Sequence, residues 1–113
     1  MNALHISTQF DAGAIEVVSL SDPRHIELKI RPDNASEFAQ WFHFALHGAK
    51  GQPVTLRFLN AGACAYPKGW EGYQVVASHD RQSWFRIDTT FDGTVMTAQA
   101  TPAGDCMYFA YFE

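Results

Sequence analysis

His43 and His47 stand four residues apart, a spacing that on an α-helix brings both imidazoles to one face and could hold zinc. On a β-strand the same spacing separates them by about 13 Å, at roughly 3.3 Å per residue, too far to share one ion. No Glu follows His43 to act as the general base of a His-Glu-x-x-His site. Both are therefore read as solvent-facing strand residues. Nucleophilic chemistry fares no better: there is no Gly-x-Ser-x-Gly elbow, and neither Cys64 nor Cys106 carries a local signature of an activated thiolate. Asp88, Asp92 and Asp105 stand near turn signals, where carboxylates usually cap and solvate. A Gly-rich phosphate loop is absent as well. The chain is thus expected to hold no catalytic residue and no metal ligand.

One segment has the composition of recognition rather than reaction. Asn60 to Tyr73 is the longest irregular stretch and concentrates Tyr66, Trp70 and Tyr73 between glycines, as interfaces do. The competing reading is that Trp70 caps the core from outside. Downstream, Ser78-His79-Asp80-Arg81-Gln82-Ser83-Trp84 reads as a turn feeding a buried, structural Trp.

The elements that must position these residues are strands. Ile15/Val17, Ile26/Leu28/Ile30, Val54/Leu56/Phe58 and Tyr73/Val75/Ala77 alternate apolar and polar residues as half-buried strands do. Turn signals fall between them at close intervals, and Phe91-Asp92-Gly93-Thr94 predicts a hairpin, because Asp-Gly tolerates positive φ. Trp84 to Ile87, Thr94 to Thr101 and Cys106 to Phe112 are rich in aromatic and β-branched residues suited to packed sheet faces. Residues 38–47 allow two readings. Phe38, Trp41, Phe42, Ala45 and Leu46 repeat at helical spacing, with Asp33, Asn34 or Ser36 available as caps; but Phe44 would then leave the apolar face. A strand with Phe42, Phe44 and Leu46 inward, followed by a Gly-rich turn and a matching partner strand at Pro53 to Asn60, is favoured. The expectation is an all-β fold, an antiparallel β-sandwich of about eight or nine short strands forming a single domain over 1–113.

Composition bounds the function classes. With 113 residues, 47% apolar and 18% charged, the chain suits one globular core. A formal charge of −4 without a Lys/Arg run argues against nucleic acid and anionic lipid as partners. No stretch approaches the roughly 20 apolar residues of a membrane span, and MNALHISTQF lacks the basic and apolar regions of a signal peptide, so the cytoplasm is expected. Two cysteines without metal-type spacing are expected to be reduced and buried. The aromatic run Met107 to Phe112, ending at Glu113, is expected to be covered by further chain or a partner.

Several of these strings resemble the N-terminal domain of cytosolic-type zinc carboxypeptidases. Trp41-Phe42-His43-Phe44-Ala45-Leu46-His47-Gly48, continuing through Val54 to Asn60, is similar to that family's aromatic hairpin; Pro67 to Tyr73 falls at its aromatic loop. Ser78-His79-Asp80 with Trp84 and Arg86 resembles its turn-plus-Trp element, Tyr108 to Phe112 its closing strand, and Phe10-Asp11-Ala12-Gly13-Ala14 its opening motif, with Ala14 where Asn is usual. The resemblance implies a β-sandwich ahead of a catalytic domain that removes C-terminal residues from peptides or proteins. The zinc ligands and catalytic Glu of that family belong to the second domain, so none is carried onto this chain and zinc is expected only in the parent. A catalytic domain packed in cis would bury the aromatic C-terminal strand and the Tyr/Trp loop, so Asn60, Tyr66, Trp70, Tyr73, Phe109 and Tyr111 are the candidate interface residues. The alternative is a stand-alone carbohydrate- or protein-binding sandwich, because Ser78-x-Asp80 before Trp84 also resembles discoidin-type modules.

Overall fold

The computed structural model describes residues 4–8, 15–30, 42–63 and 70–111. The described residues form ten strands: β1 (His5–Ser7), β2 (Glu16–Ser19), β3 (Ile26–Lys29), β4 (His43–His47), β5 (Val54–Phe58), β6 (Val76–Ser78), β7 (Phe85–Arg86), β8 (Asp88–Phe91), β9 (Met96–Ala100) and β10 (Cys106–Ala110). They assemble into two five-stranded sheets, in the orders β1-β4-β10-β6-β7 and β2-β3-β5-β9-β8. The expected sandwich is present, with one strand more than the upper expectation. One pairing departs from the antiparallel plan: β3 and β5 run parallel, with Ile26 opposite Leu56 and Leu28 opposite Phe58.

Inward positions alternate along each strand and build a single core. Ile26, Leu28, Val54, Leu56, Phe58, Met96 and Ala98 come from one sheet; Phe44, Leu46, Ala77, Met107 and Phe109 come from the other, with Phe42 just ahead of β4. The ring of Phe42 meets that of Phe58 across the sandwich at 4.7 Å, and Phe44 stacks on Phe109 at 5.3 Å. The strand reading of the 38–47 segment holds over His43–His47, and Phe42, Phe44 and Leu46 are all fully buried; residues 31–41 lie outside the described residues, as do Phe10 to Ala14.

The expected hairpin between this strand and Pro53 to Asn60 does not form. β4 and β5 lie in opposite sheets, and β4 instead pairs with β1 and β10. A strand pair joined by a tight turn and a strand pair facing across a core show the same alternation, so only the tertiary pairing separates them. The crossover from β4 to β5 is tied to the one from β9 to β10. Gly48 N–H donates to Asp105 O at 3.0 Å and Gly51 N–H to Pro102 O at 2.7 Å, with Gly48 and Gly51 at φ 89° and 75°. Val17, expected inward, is exposed beside Val18, because a register irregularity in the β2–β3 ladder lies between Val17 and Ser19.

The Asp-Gly hairpin does form. Phe91 pairs with Met96, Gly93 sits at φ 98°, and Asp92 Oδ1 accepts from the N–H groups of Thr94 and Val95 at 2.9 and 2.8 Å. Those bonds, Val95 first, hold the Asp92 carboxyl below its ordinary 3.8. A depressed carboxyl stabilises the fold above its unfolded pKa and loses that contribution as pH falls through the folded value. Asp92→Asn, which keeps an acceptor oxygen, is therefore expected to lose less stability than the parent between pH 5 and pH 2, as measured by urea unfolding.

The hairpin tip also packs on Gly62, whose N–H donates to Thr94 O at 2.9 Å. A Cβ there would lie 2.5 Å from Gly93 O and 2.8 Å from Thr94 Cα. Both are backbone atoms and neither swings aside. Gly62→Ala is expected to cost about 1–3 kcal/mol by overpacking, read as a lower urea midpoint with an unchanged slope.

Candidate functional site

The aromatic end of the sandwich gathers Phe42, Trp70, Tyr73 and Tyr111. Trp70 is 1% exposed, and its indole Nε1–H donates to Ala61 O at 2.9 Å, which satisfies the polar edge of a buried ring. Its ring meets Tyr73 at 5.2 Å and Tyr111 at 5.5 Å, both edge-on, and Phe42 at 6.4 Å. Tyr73 bridges the loop to the end of β10. Its hydroxyl contacts Tyr111 O and, at 3.4 Å, Ala110 O. Burial, reinforced by neighbouring Tyr111, pushes its phenol well above the ordinary range, so Tyr73 acts here as a donor and not as a base.

Asn60 does a separate task. Its Oδ1 accepts from Ile30 N–H at 2.8 Å and its Nδ2 donates to Ile30 O at 2.9 Å. Leu59 N–H donates to Leu28 O just before it, so the Asn60 amide continues the parallel β3–β5 ladder where the main chain of β5 has turned away. A carboxamide carries both a donor and an acceptor in one plane and can substitute for a strand's peptide group.

The six residues expected at an interface therefore divide. Trp70 and Phe109 are interior, Asn60, Tyr73 and Tyr111 keep partial exposure, and Tyr66 lies outside the described residues. Phe109 cannot present its ring to a partner, because on β10 it alternates with Tyr108 and points into the core against Phe44. The reading in which Trp70 covers the core agrees with its burial.

A second cluster on the outer face of the first sheet had no clear signal in the sequence. His43 is not solvent-facing: it lies on that outer face but is 8% exposed, edge-on to Trp84 at 5.9 Å and Tyr108 at 6.5 Å. The cover is delivered by the turn after β6. Ser78 Oγ accepts from the N–H groups of Asp80 and Arg81, and Asp80 Oδ1 accepts from Ser78 Oγ and from the N–H groups of Gln82 and Ser83. Burial, and Arg81 second, hold the His43 pKa below its ordinary 6.5. Cys106, expected buried, is half-buried, because β10 turns Cys106 and Tyr108 outward and Met107 inward; Cys64 lies outside the described residues.

Titratable groups do not converge on either cluster in a way that does chemistry. His43 and His47 stand at opposite ends of β4, and among the described residues no three His, Cys, Asp or Glu side chains gather to hold a metal ion. Zinc does not fit the residues described. No helix among them is long and apolar enough to cross a membrane.

Comparison with known proteins follows this geometry closely. The family model described as "Cytosolic carboxypeptidase N-terminal domain" matches residues 6–112. A metallo-carboxypeptidase from Burkholderia cenocepacia is 55% identical and superposes with a TM-score of 0.95, covering 97% of this chain and 29% of that one. A metallo-carboxypeptidase from Pseudomonas aeruginosa, solved with (2-guanidinoethylmercapto)succinic acid, is 44% identical at a TM-score of 0.92, over 96% of this chain and 29% of that one. An uncharacterised protein of Zymomonas mobilis is 44% identical over 109 residues, 96% of this chain and 28% of its own length. The chain thus spans less than a third of each of these relatives.

Proposed function

This chain belongs to the cytosolic carboxypeptidase N-terminal domain family, and from that premise we propose that it is the non-catalytic first domain of a zinc metallocarboxypeptidase. In this reading 1–113 is one β-sandwich that packs in cis on a catalytic domain and shapes access to its cleft. The parent enzyme removes C-terminal residues from peptides or proteins in the cytoplasm, and its zinc is held by the catalytic domain. The observation that carries the reading is the match over almost the whole chain to metallo-carboxypeptidases more than three times its length.

The proposed contact surface is the aromatic end. Tyr66, Tyr73, Tyr111 and the exposed edge of Asn60 meet the catalytic domain, while Trp70 and Phe109 support that platform from beneath. Tyr and Trp concentrated around a desolvated centre are the usual anchors of such interfaces. The test is made in the full-length protein with Tyr66→Ala and Tyr111→Ser. Either substitution should split thermal unfolding into two transitions and alter release of C-terminal residues from a peptide. A single transition with unchanged kinetics would refute the surface, and stoichiometric zinc in the isolated chain would refute the non-catalytic assignment.

A further inference from the structure

The turn between β6 and β7 rests on two histidines, and the bond to His79 requires a neutral ring. His79 Nε2 accepts from Ala103 N–H at 3.1 Å, and its ring stacks on Phe85 at 5.8 Å. An imidazole nitrogen that takes up a proton becomes a donor, so a doubly protonated His79 cannot keep that bond. His43 lies beneath the same turn, buried under Trp84 and beside Tyr108. The Arg81 guanidinium stands 5.4 Å from the Tyr108 ring centroid, on the side from which a second positive charge on His43 would be repelled. Arg81 also holds the turn's left-handed conformation, at φ 64°, which disfavours a residue with a Cβ.

We propose that residues 79–84 form an acid-released flap: protonation of His43 and His79 detaches the turn from the outer face of the first sheet and from the 101–105 loop, uncovering Trp84, Tyr108 and the His43 imidazole. The contacts that hold the turn down all lie within this chain.

Arg81 from the turn and Tyr108 from β10 face His43. Asp80 is committed to the turn itself, accepting from Ser78, Gln82 and Ser83, and His47 lies at the far end of β4 opposite Cys106. Around His79, Asp105 stands two residues beyond Ala103 on the loop that supplies its partner. The sign follows from these surroundings. Burial, and Arg81 second, make the closed flap resist protonation of His43, so the open form takes up that proton more readily and opening grows as pH falls toward the folded pKa of His43.

Hydrogen exchange in the full-length protein tests this, comparing a peptide over 78–85 with one over 54–58 at each pH so that the intrinsic dependence cancels. The ratio of the two rates should rise by about tenfold per pH unit over the interval in which His43 titrates. His43→Phe should flatten that rise, and His79→Gln, which keeps an acceptor for Ala103, should reduce it. Arg81→Gln, at an exposed position, should weaken the dependence even if the His43 variant fails to fold. A ratio constant from pH 7.5 to 5, or an unchanged slope in Arg81→Gln and His79→Gln, overturns the proposal.

Discussion

Trp70→Ala should strip a large share of the domain's stability and lower its urea midpoint steeply. Removing a buried Trp costs about 3–5 kcal/mol in transfer and cavity terms, against a total stability of about 5–15 kcal/mol for a domain of ordinary size. The site has little room to collapse, because Trp70 is edge-on to both Tyr73 and Tyr111, in contact range of Phe42, and bonded through its indole to Ala61 O. Trp70→Phe keeps most of the ring volume and loses that bond, and should cost less than the alanine variant. Urea unfolding followed by far-UV circular dichroism separates the cases. A Trp70→Ala domain as stable as the parent would show that this ring serves a partner and not the core, reversing its assignment as the platform's support.

Asn60→Leu should be the next most damaging change. It preserves approximate volume but strips the donor and the acceptor that serve Ile30 N–H and C=O, and each buried backbone group left unsatisfied costs about 1–3 kcal/mol. Asn60→Asp keeps the acceptor for Ile30 N–H but sets a carboxylate against Ile30 O, so its stability should fall further as pH rises from 3 to 7 while that of Asn60→Leu does not. Exchange of the Ile30 amide, measured by NMR, should accelerate in both. Protection of that amide unchanged in Asn60→Leu would mean that the side chain is free to serve an interface.

What the sequence made legible depended on whether one side of a strand was wet. On β3, β5 and β9 of the second sheet the outward residues are polar, Glu27 pairing with Arg57 at 3.5 Å and Thr97 and Gln99 beside them, so the alternation in Ile26/Leu28 and Val54/Leu56/Phe58 could be read directly. In the first sheet both faces are covered. Ala45, Val76, Ser78 and Ala110 are buried on the outer side just as Phe44, Ala77 and Phe109 are on the inner side. That double burial is why His-Phe-Ala-Leu-His fitted helix and strand alike, and why His43 was expected in solvent. The sandwiching of β4 and β5 across the core, and the bond from Ala103 to His79, join segments with no local signature of meeting. Trp70 was conspicuous as a loop aromatic, but its burial was decided by a carbonyl nine residues away.

Among the described residues β10 is the last strand to be made, and yet it stands at the middle of its sheet, between β4 and β6. During synthesis, neither neighbour can meet its partner until residues 106–110 have emerged from the ribosome. Until then the nascent domain exposes two unsatisfied strand edges, and closure waits on pairings that are distant along the chain and correspondingly slow. Chaperone dependence and loss to aggregation should thus be governed by the interval between the making of 43–47 and 76–78 and the making of 106–110.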